Sequence, residues 1–412
     1  MPPPPLRKPL GYSPHDLLGD RPHVMVDGAA RPSSVLTLSH WPQSPTPPAF
    51  AHDLSAGIVL SYLRQTTAGG ASGGDAALAA ALARGESAEA VTNDHFDEDG
   101  LMSVWSLMSP ETALELADLV VDVASCGDFG VVKDYMSAEV AFAIAPLAEL
   151  EAGAAASTAD RYLATLPRVE ELLRHPERYR EHWAEEVDEL DAGRRALAAG
   201  DVTIENLQAI DLAVVARGEP GAGVGVPARR LAGAAGGLPV HAAVAHSATS
   251  ASRILAFDGA YCECYLRYEG WVKVVSRAVP LRPDLAPLAE ELSALEPGGV
   301  TWEANPVGAI IGRLMPGGDG RSDLAPYVIR GAVESYLATA PPAWDPFRPG
   351  GGYIPSGERD AYRRGGRTGR RARNPQQDDE RQGPGRGTGN GRLPRPGPRS
   401  VRRPVGPRRK RR

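Results

Sequence analysis

Short apolar segments alternate with longer segments of helical periodicity from residue 23 onward, and this alternation constrains the fold most strongly. Residues 23–30 and 33–41 are each predicted to form a short strand that ends in a polar residue. Residues 54–65 have apolar side chains at helical spacing, and Asp53 before them is a favourable N-cap. Strands that alternate with helices of this length indicate a parallel sheet with helices on both faces. We therefore predict an α/β fold.

Changes in composition divide the chain into five parts. Charged helical segments occupy the middle of the chain, strand-rich sequence returns near residue 203, and Gly, Pro and Arg dominate after about residue 348. We predict an irregular Pro-rich arm (1–22), an N-terminal α/β lobe with parallel strands (23–151), a helical connector (152–202), a smaller C-terminal α/β lobe (203–347) and a disordered basic tail (348–412).

Charge is distributed unevenly along the chain. Residues 1–357 carry a net charge of −20, whereas residues 358–412 carry +14. The acidic part argues against a nucleic-acid-binding face over most of the surface, while the basic tail is suited to contact anionic polymers. We find neither a run of about 18 apolar residues nor the apolar core of a secretory signal, and the number of cysteines is odd. We predict a cytoplasmic protein without a membrane span.

The segment NDHFDEDG, residues 93–100, places four carboxylates and one imidazole at the expected carboxyl end of a strand. Ligands of open α/β sheets bind at that end, and carboxylates with an imidazole suit divalent cations such as Mn²⁺. The spacing excludes an EF-hand. With Gly100 at loop position six, Ser106 would stand at position twelve, where an EF-hand loop has a bidentate Glu. Alternatively, Asp97, Glu98 and Asp99 are a solvated charge run that stabilises the N-terminus of the next helix.

Polar residues also follow the other predicted strands. Asp27 ends the first strand, His40 ends the second, and Asp128 lies in the segment CGDFG. Because the carboxyl ends of parallel strands meet at one edge, we expect a cluster of Asp27, His40, Asp94, His95, Asp97, Asp99 and Asp128. We assign the metal ligands to His40, Asp94, Asp97, Asp99 and Asp128, and catalytic roles to His95, Asp97 and Asp99. Such a cluster could hold one or two Mn²⁺ or Mg²⁺ ions.

Basic residues in the C-terminal lobe are candidates for substrate binding. Arg267, Lys273 and Arg277 alternate on one side of a strand predicted for residues 261–277, where they could clamp a phosphate or simply form an exposed face. His241 and His246 are five residues apart and cannot chelate one metal together, although one of them could face the cleft. We assign substrate binding to Arg267, Arg277 and His241.

Two segments resemble a known superfamily. NDHFDEDGLMSVWSLM, residues 93–108, is similar to the strand, acidic loop and helix motif of the DHH phosphoesterases, which include RecJ-like nucleases, oligoribonucleases and inorganic pyrophosphatases. DLAPLAEELSALEPGG, residues 284–299, is similar to the helix before their Gly-rich substrate loop. The likeness covers residues 20–345, without the Asp-His-His triplet or the Gly-Gly-Gly-His loop. It implies that Asp97 and Asp99 bind metal.

The sequence therefore predicts a metal-dependent, phosphoesterase-like hydrolase. Its substrate would be a phosphate ester, either a nucleotide or a short oligonucleotide, and Mn²⁺ or Mg²⁺ at the Asp/His cluster would activate water. The alternative is a non-catalytic two-lobe binding protein of the same architecture, in which the acidic loop only caps a helix.

Overall fold

A four-stranded parallel sheet forms the first half of the structure. The computed structural model describes residues 8–67, 75–217 and 238–365. The strands lie in the order β1-β4-β2-β3, and their bounds are β1 Gly11–Tyr12, β2 His23–Val26, β3 Ser34–Leu38 and β4 Ala90–Thr92. All four residues of β2 are buried, so both faces of this central strand are covered. The predicted α/β fold with a parallel sheet is confirmed.

Six helices accompany this sheet. They are α1 Ser55–Thr67, α2 Ala76–Glu86, α3 Glu98–Met108, α4 Pro110–Glu115, α5 Ala117–Phe129 and α6 Tyr135–Ala152. Helix α5 contains Gly127, continues to Phe129 and ends at Gly130, which has a φ of 62°. A Cβ atom at Gly127 would lie 2.5 Å from the Glu98 carboxylate, so glycine there permits close approach of α3. Asp128 consequently lies on a helix rather than in a loop.

Three helices follow between the two larger of the three sheets in the described residues. They are α7 Thr158–Thr165, α8 Val169–Arg174 and α9 Arg180–Ala199. Helix α9 buries Trp183, Val187 and Leu190, which lie three and four residues apart and therefore share one face. The charged residues of the segment occupy its other faces. This amphipathic pattern explains why a strongly charged stretch is helical and still packs firmly against α6.

A six-stranded mixed sheet forms the second half. Its order is β10-β11-β8-β7-β6-β5, with β6 and β7 parallel and the other pairs antiparallel. A turn at Asp258-Gly259, where Gly259 has a φ of 64°, joins β7 to β8. The elements are β5 Val202–Leu207, β6 Leu212–Arg217, α10 Ala242–Ala248, β7 Arg253–Asp258, β8 Tyr261–Leu266, β9 Arg282–Pro283, α11 Ala286–Leu295, β10 Trp302–Ala304, β11 Gly312–Pro316, α12 Pro326–Thr339, β12 Pro342–Trp344 and α13 Arg359–Gly365.

Apolar packing is continuous between the two sheets. Val24 of the first sheet and Ile254 of the second belong to one buried cluster, whereas Leu255 belongs to another cluster with Leu288 and Val333. Successive residues of a strand point to opposite faces, so β7 contributes to both clusters. The described residues between 8 and 365 belong to one compact unit. The boundaries of the predicted lobes stay a prediction.

Each of the two segments that we predicted to be irregular or disordered, at the start and at the end of the chain, is partly folded in the structure. The N-terminal arm contributes β1, because Leu10 is buried and its N–H is bonded to Leu107. The predicted tail is ordered up to residue 365: Ile354 is fully buried, and its N–H is bonded to Ala343. The rest of the tail, from residue 366, lies outside the described residues. No helix in the described ranges is long and apolar enough to cross a bilayer.

Candidate metal centre

The polar residues that follow the parallel strands meet at one edge of the first sheet. Asp27 follows β2 directly, and His40 lies two residues after β3, its parallel neighbour. The acidic loop 93–97 follows β4, which borders β2 on the other side. Asp99 lies in the first turn of α3 and Asp128 in the last turn of α5. The strand order therefore explains why residues about 100 positions apart come together.

The first group of potential ligands surrounds His40. Its Nε2 atom lies 3.4 Å from Asp27 Oδ1, 3.4 Å from Asp128 Oδ2 and 3.9 Å from Asp99 Oδ2. One ligand atom from each of the four residues lies within 4.8 Å of every other. All four side chains are almost completely buried. Three carboxylates and one imidazole are donors that Mn²⁺ accepts readily.

The second group surrounds His95 and shares Asp27 with the first. His95 Nε2 lies 2.9 Å from Asp97 Oδ2 and 3.2 Å from Asp27 Oδ2. Asp27 thus presents Oδ1 to His40 and Oδ2 to His95. A carboxylate that faces two ligand groups through its two oxygens has the arrangement of a bridging ligand in a two-metal site.

Asp27 has an unusual backbone conformation and an oxygen without a hydrogen bond. Its φ of 44° lies in the left-handed region, which few non-glycine residues adopt and which is common at functional sites. Ser55 donates its hydroxyl to Asp27 Oδ1 at 2.7 Å. Asp27 Oδ2 and Asp128 Oδ2 are buried and accept no hydrogen bond. Buried carboxylate oxygens are costly to leave without a partner, so a cation at these atoms would remove a penalty.

The imidazole of His40 is held in one orientation. Its Nδ1 lies 2.6 Å from the carbonyl oxygen of Asp53, which can only accept, so Nδ1 carries the proton and Nε2 is available to a metal. The hydroxyl of Tyr268 lies 3.3 Å from the same Nε2. His95 is held similarly, because its Nδ1 lies 3.0 Å from Asp94 Oδ1. Such outer hydrogen bonds fix metal-binding histidines in many proteins.

Asp97 and Asp99 have a second role as helix caps. Asp97 Oδ1 accepts from the N–H of Gly100 at 2.8 Å and so caps α3. Asp99 accepts from the N–H groups of Ser55 and Ala56, both at 2.7 Å, and so caps α1 from 44 residues away. We expected Asp53 to cap α1. Asp53 instead accepts from the N–H groups at residues 275 and 276.

Burial and mutual repulsion dominate the electrostatics of the centre. Burial, followed by the charge of Asp27, raises the pKa of Asp99 to about 7. Burial and the charges of Asp99 and Asp97 also raise the pKa of Asp128 well above its usual range. Burial lowers the pKa of His40, but its contacts with Asp27 and Asp99 outweigh this and raise it. Burial and the neighbouring charges therefore favour protonation of Asp99 and Asp128 over two further negative charges in the centre.

Exposure differs between the two sides of the centre. The side chains of His40 and Asp27 are at most 1% exposed, whereas those of His95 and Asp97 are 32% and 31% exposed. The first group is therefore sealed by protein, and the second borders solvent. A molecule from solution would approach from the side of His95. The indole of Trp41 lies beside this entrance, with its ring centroid 5.3 Å from that of His95.

The structure distributes the predicted ligands unevenly. His40, Asp97, Asp99 and Asp128 belong to the two groups, whereas Asp94 lies outside both and orients His95. Sequence analysis placed Asp27 in the cluster but omitted it from the ligands, although it is common to both groups. Tyr268, Ser55 and Asp53 were missed. No local signal in the sequence could have found Tyr268, because it reaches the centre from the other sheet.

The predicted substrate-binding residues do not lie on one strand. Strand β8 ends at Leu266, so the strand predicted to continue to residue 277 is wrong. The backbone beyond it bonds to loops of the first half instead: the Lys273 N–H is bonded to the His40 carbonyl. Arg267 and Arg277 still come together, because both contact the carboxylate of Glu269. His241 lies elsewhere, caps α10 and contacts Glu186 at 3.2 Å.

A comparison with protein families gives one match. The model of a family described as "Family of unknown function (DUF6687)" matches residues 8–347, which include both sheets and every residue of the candidate centre. No curated protein and no solved structure matches the chain.

Proposed function

We propose that this chain, which belongs to the family of unknown function DUF6687, is a metal-dependent hydrolase of phosphate esters. The observation that carries the proposal is the position of Asp27, whose two carboxylate oxygens face two separate ligand groups. Two metals that share a carboxylate are a common means of activating water against a phosphate ester. The DHH-like acidic segment at residues 93–108 supports the same reaction class.

The donors present in the centre fit divalent metal ions. One ion would be held by Asp27, His40, Asp99 and Asp128, and the other by Asp27, His95 and Asp97. Carboxylates with one imidazole per ion favour Mn²⁺, because Mg²⁺ prefers a site made of oxygen ligands only. The Oδ2 atoms of Asp27 and Asp128, which accept no hydrogen bond, lie within these groups, where a bound cation would contact them.

The surrounding residues have distinct tasks in the proposed reaction. When bound, the metals would polarise the phosphate ester and lower the pKa of water. Asp53 and Asp94 keep the Nε2 atoms of His40 and His95 directed into the centre. The hydroxyl of Tyr268 can donate a hydrogen bond to an oxygen atom beside His40. The half-exposed side of His95 and Asp97 admits the substrate.

The alternative is a non-catalytic two-lobe binding protein in which the acidic loop only caps helices. The caps exist, since Asp97 bonds to α3 and Asp99 to α1. Capping does not explain why Asp27 and Asp128 are buried beside His40, because the two helix caps are made by Asp97 and Asp99. We therefore favour the metal-dependent hydrolase.

The proposed substrate is a nucleotide or a short oligonucleotide, and the proposed location is the cytoplasm. The acidic body disfavours long nucleic acids, whose phosphates it would repel, and leaves small phosphate esters as the better candidates. Cys126, Cys262 and Cys264 are free and buried, which agrees with a reducing compartment. Contact of the basic tail with anionic polymers stays a prediction, because residues 366–412 lie outside the described residues.

Replacement of Asp128 tests this function directly. With Mn²⁺, the purified protein should hydrolyse bis(p-nitrophenyl) phosphate or a dinucleotide, and Asp128→Asn should lower kcat at least about 100-fold because a metal ligand is lost. Asp122→Asn is the matched control on the same helix, since Asp122 pairs with Lys133 instead. Wild-type protein without Mn²⁺-dependent activity on mono- or diesters would contradict the proposal.

Replacement of Tyr268 tests whether the second half of the protein takes part. Tyr268→Phe keeps the ring against His40 and removes only the hydroxyl. We expect kcat to fall roughly 10- to 100-fold, with Mn²⁺ affinity changed less than about threefold, because a donor and not a ligand is removed. Tyr265→Phe is the control, as its hydroxyl bonds to His246. Equal loss of metal affinity and kcat would instead make Tyr268 a ligand.

A further inference from the structure

A cavity lies next to the metal centre. It has a volume of about 330 Å³, which is within the usual range of small-molecule sites. The lining includes no member of the two metal-binding groups. Two lining residues nevertheless border the centre: Phe129 follows Asp128, and the carbonyl of Asp53 accepts from His40. The cavity is thus a separate space that shares a wall with the centre.

Charged side chains of both signs line this cavity. Arg267 and Arg277 both approach Glu269 Oε1, at 2.7 Å and 3.6 Å. The side chains of Arg267 and Glu269 are 2% and 5% exposed, whereas Arg277 is 33% exposed at the open side. Two buried atoms of this trio, Arg267 Nε and Glu269 Oε2, have no hydrogen-bond partner. A buried donor and a buried acceptor without partners both point to a ligand or water that satisfies them.

The balance of charge restricts the ligand. Two guanidinium groups face two carboxylates, Glu269 and Asp53, so the lining is formally neutral. A simple anion would be attracted by the two arginines but repelled by the carboxylate oxygen Oε2 of Glu269. A zwitterion avoids this conflict, because its carboxylate can bind the arginines while its ammonium group binds Glu269. Phe129, Val131 and Val274 offer apolar surface for the rest of the molecule.

We propose that this cavity binds a small zwitterion of the amino-acid class with an apolar or aromatic side chain. The carboxylate contacts Arg277 and the Nε–H of Arg267, since the terminal nitrogens of Arg267 already donate to backbone carbonyls and Glu269. The ammonium group contacts Glu269 Oε2, and the side chain packs against Phe129 and Val274. The proposal depends on this arrangement of charges and does not rest on the metal-dependent hydrolase. Its failure would therefore leave that function untouched.

Calorimetric titration of the full chain in EDTA, with matched ligands, tests the proposal. We use L-phenylalanine, 3-phenylpropionate, which lacks the ammonium group, and phenethylamine, which lacks the carboxylate. L-Phenylalanine should bind, and each analogue should bind at least about tenfold more weakly because it leaves one charged partner unsatisfied. EDTA removes metals that could chelate the amino acid.

Two variants locate the binding. Arg277→Gln should weaken L-phenylalanine binding at least about tenfold. Ser250→Phe should also abolish binding, because Ser250 is an exposed residue of the lining and a phenyl ring there would fill the entrance. Arg194→Gln is the control: Arg194 is 35% exposed, close to the 33% of Arg277, but pairs with Asp191 on α9. Binding to this control should equal that of the wild type.

Three results would overturn the proposal. The first is absence of L-phenylalanine binding up to about 10 mM, which would leave the cavity to water. The second is equal affinity for 3-phenylpropionate, which would make the cavity a plain anion site. The third is unchanged affinity in both Arg277→Gln and Ser250→Phe, which would place the bound molecule elsewhere on the protein.

Discussion

Millimolar Mn²⁺ is expected to raise the melting temperature of the wild-type protein by several degrees. The centre gathers four carboxylates, three of them buried, around two imidazoles, and a divalent cation relieves the repulsion between the carboxylates only in the folded state. A site with a Kd of about 1 μM would gain roughly 4 kcal/mol of stability at 1 mM Mn²⁺. The measurement is a thermal melt of metal-free protein with and without Mn²⁺.

Replacement of the shared carboxylate should remove this effect. Asp27→Asn takes one charged ligand from both groups, so the Mn²⁺-dependent shift should fall below about one quarter of the wild-type value. The shift is compared within each variant, which cancels any effect of the mutation on the metal-free protein. Asp122→Asn, on the outer part of α5, should retain the full shift because its partner is Lys133.

Asp27 is a better position for this experiment than Asp97 or Asp99. Those two carboxylates cap α3 and α1, so their replacement would change helix stability as well as metal binding. A wild-type protein whose melting temperature does not respond to 1 mM Mn²⁺ would contradict the metal centre and the proposed hydrolase with it. An unchanged shift in Asp27→Asn would contradict the shared ligand alone.

Arg282→Ala is expected to destabilise the protein by about 3–4 kcal/mol, because two buried and two partly buried carbonyl groups lose one common donor. The Arg282 side chain is 2% exposed and donates to the carbonyl groups of Arg267 and Ile310 at 2.6 Å and 2.8 Å, and to those of Ala309 and Leu266 at 2.9 Å and 3.3 Å. It thereby joins the loop at residues 309–310 to the end of β8. Burial lowers its pKa to about 9.

A graded series separates this role from a simple loss of charge. Urea unfolding should give an intermediate loss of about 1–2 kcal/mol for Arg282→Lys, since an ammonium group cannot reach several carbonyl groups in a plane. Arg330→Ala, which breaks an exposed pair with Glu205, should cost less than about 1 kcal/mol. If Arg282→Ala cost no more than Arg330→Ala, the carbonyl contacts would have no importance for stability.

The convergence of the metal-binding residues could be predicted from local sequence. Asp27, His40 and the loop after β4 each follow a short apolar strand, and parallel strands in one sheet bring such positions to one edge. The prediction needed only strand ends and parallel direction. The strand order, which the sequence did not predict, adds that β2 lies between β4 and β3, so that the ends of these three strands are neighbours.

The two interpretations of the acidic loop turned out to be compatible. Helix capping and metal binding do not exclude each other, because Asp97 presents Oδ1 to α3 and Oδ2 to His95. A carboxylate has two oxygens with several lone pairs, so one residue can fill both roles. The local sequence pattern identifies such a residue, but it does not predict which of its two oxygens caps the helix and which faces the centre.

Errors arose where backbone partners are distant in sequence. The segment after Leu266 has the composition of a strand, but its N–H groups bond to His40 and Asp53 instead of a neighbouring strand. Asp53 stands in the right place to cap α1, but Asp99 caps it from the start of α3. Intrinsic preferences are weak compared with a buried hydrogen bond that tertiary packing supplies.

Local sequence was enough to predict the parallel sheet, the helical middle segment and all six members of the two Asp/His groups. Periodicity and strand ends are local properties, and local physics is enough to interpret them. Three features became visible only in the tertiary structure. Asp27 faces two ligand groups, and Tyr268, just after β8, reaches His40. Arg267, Glu269 and Arg277 line a separate cavity. These features depend on how the two sheets pack, because packing sets distances between side chains that no spacing in the chain encodes.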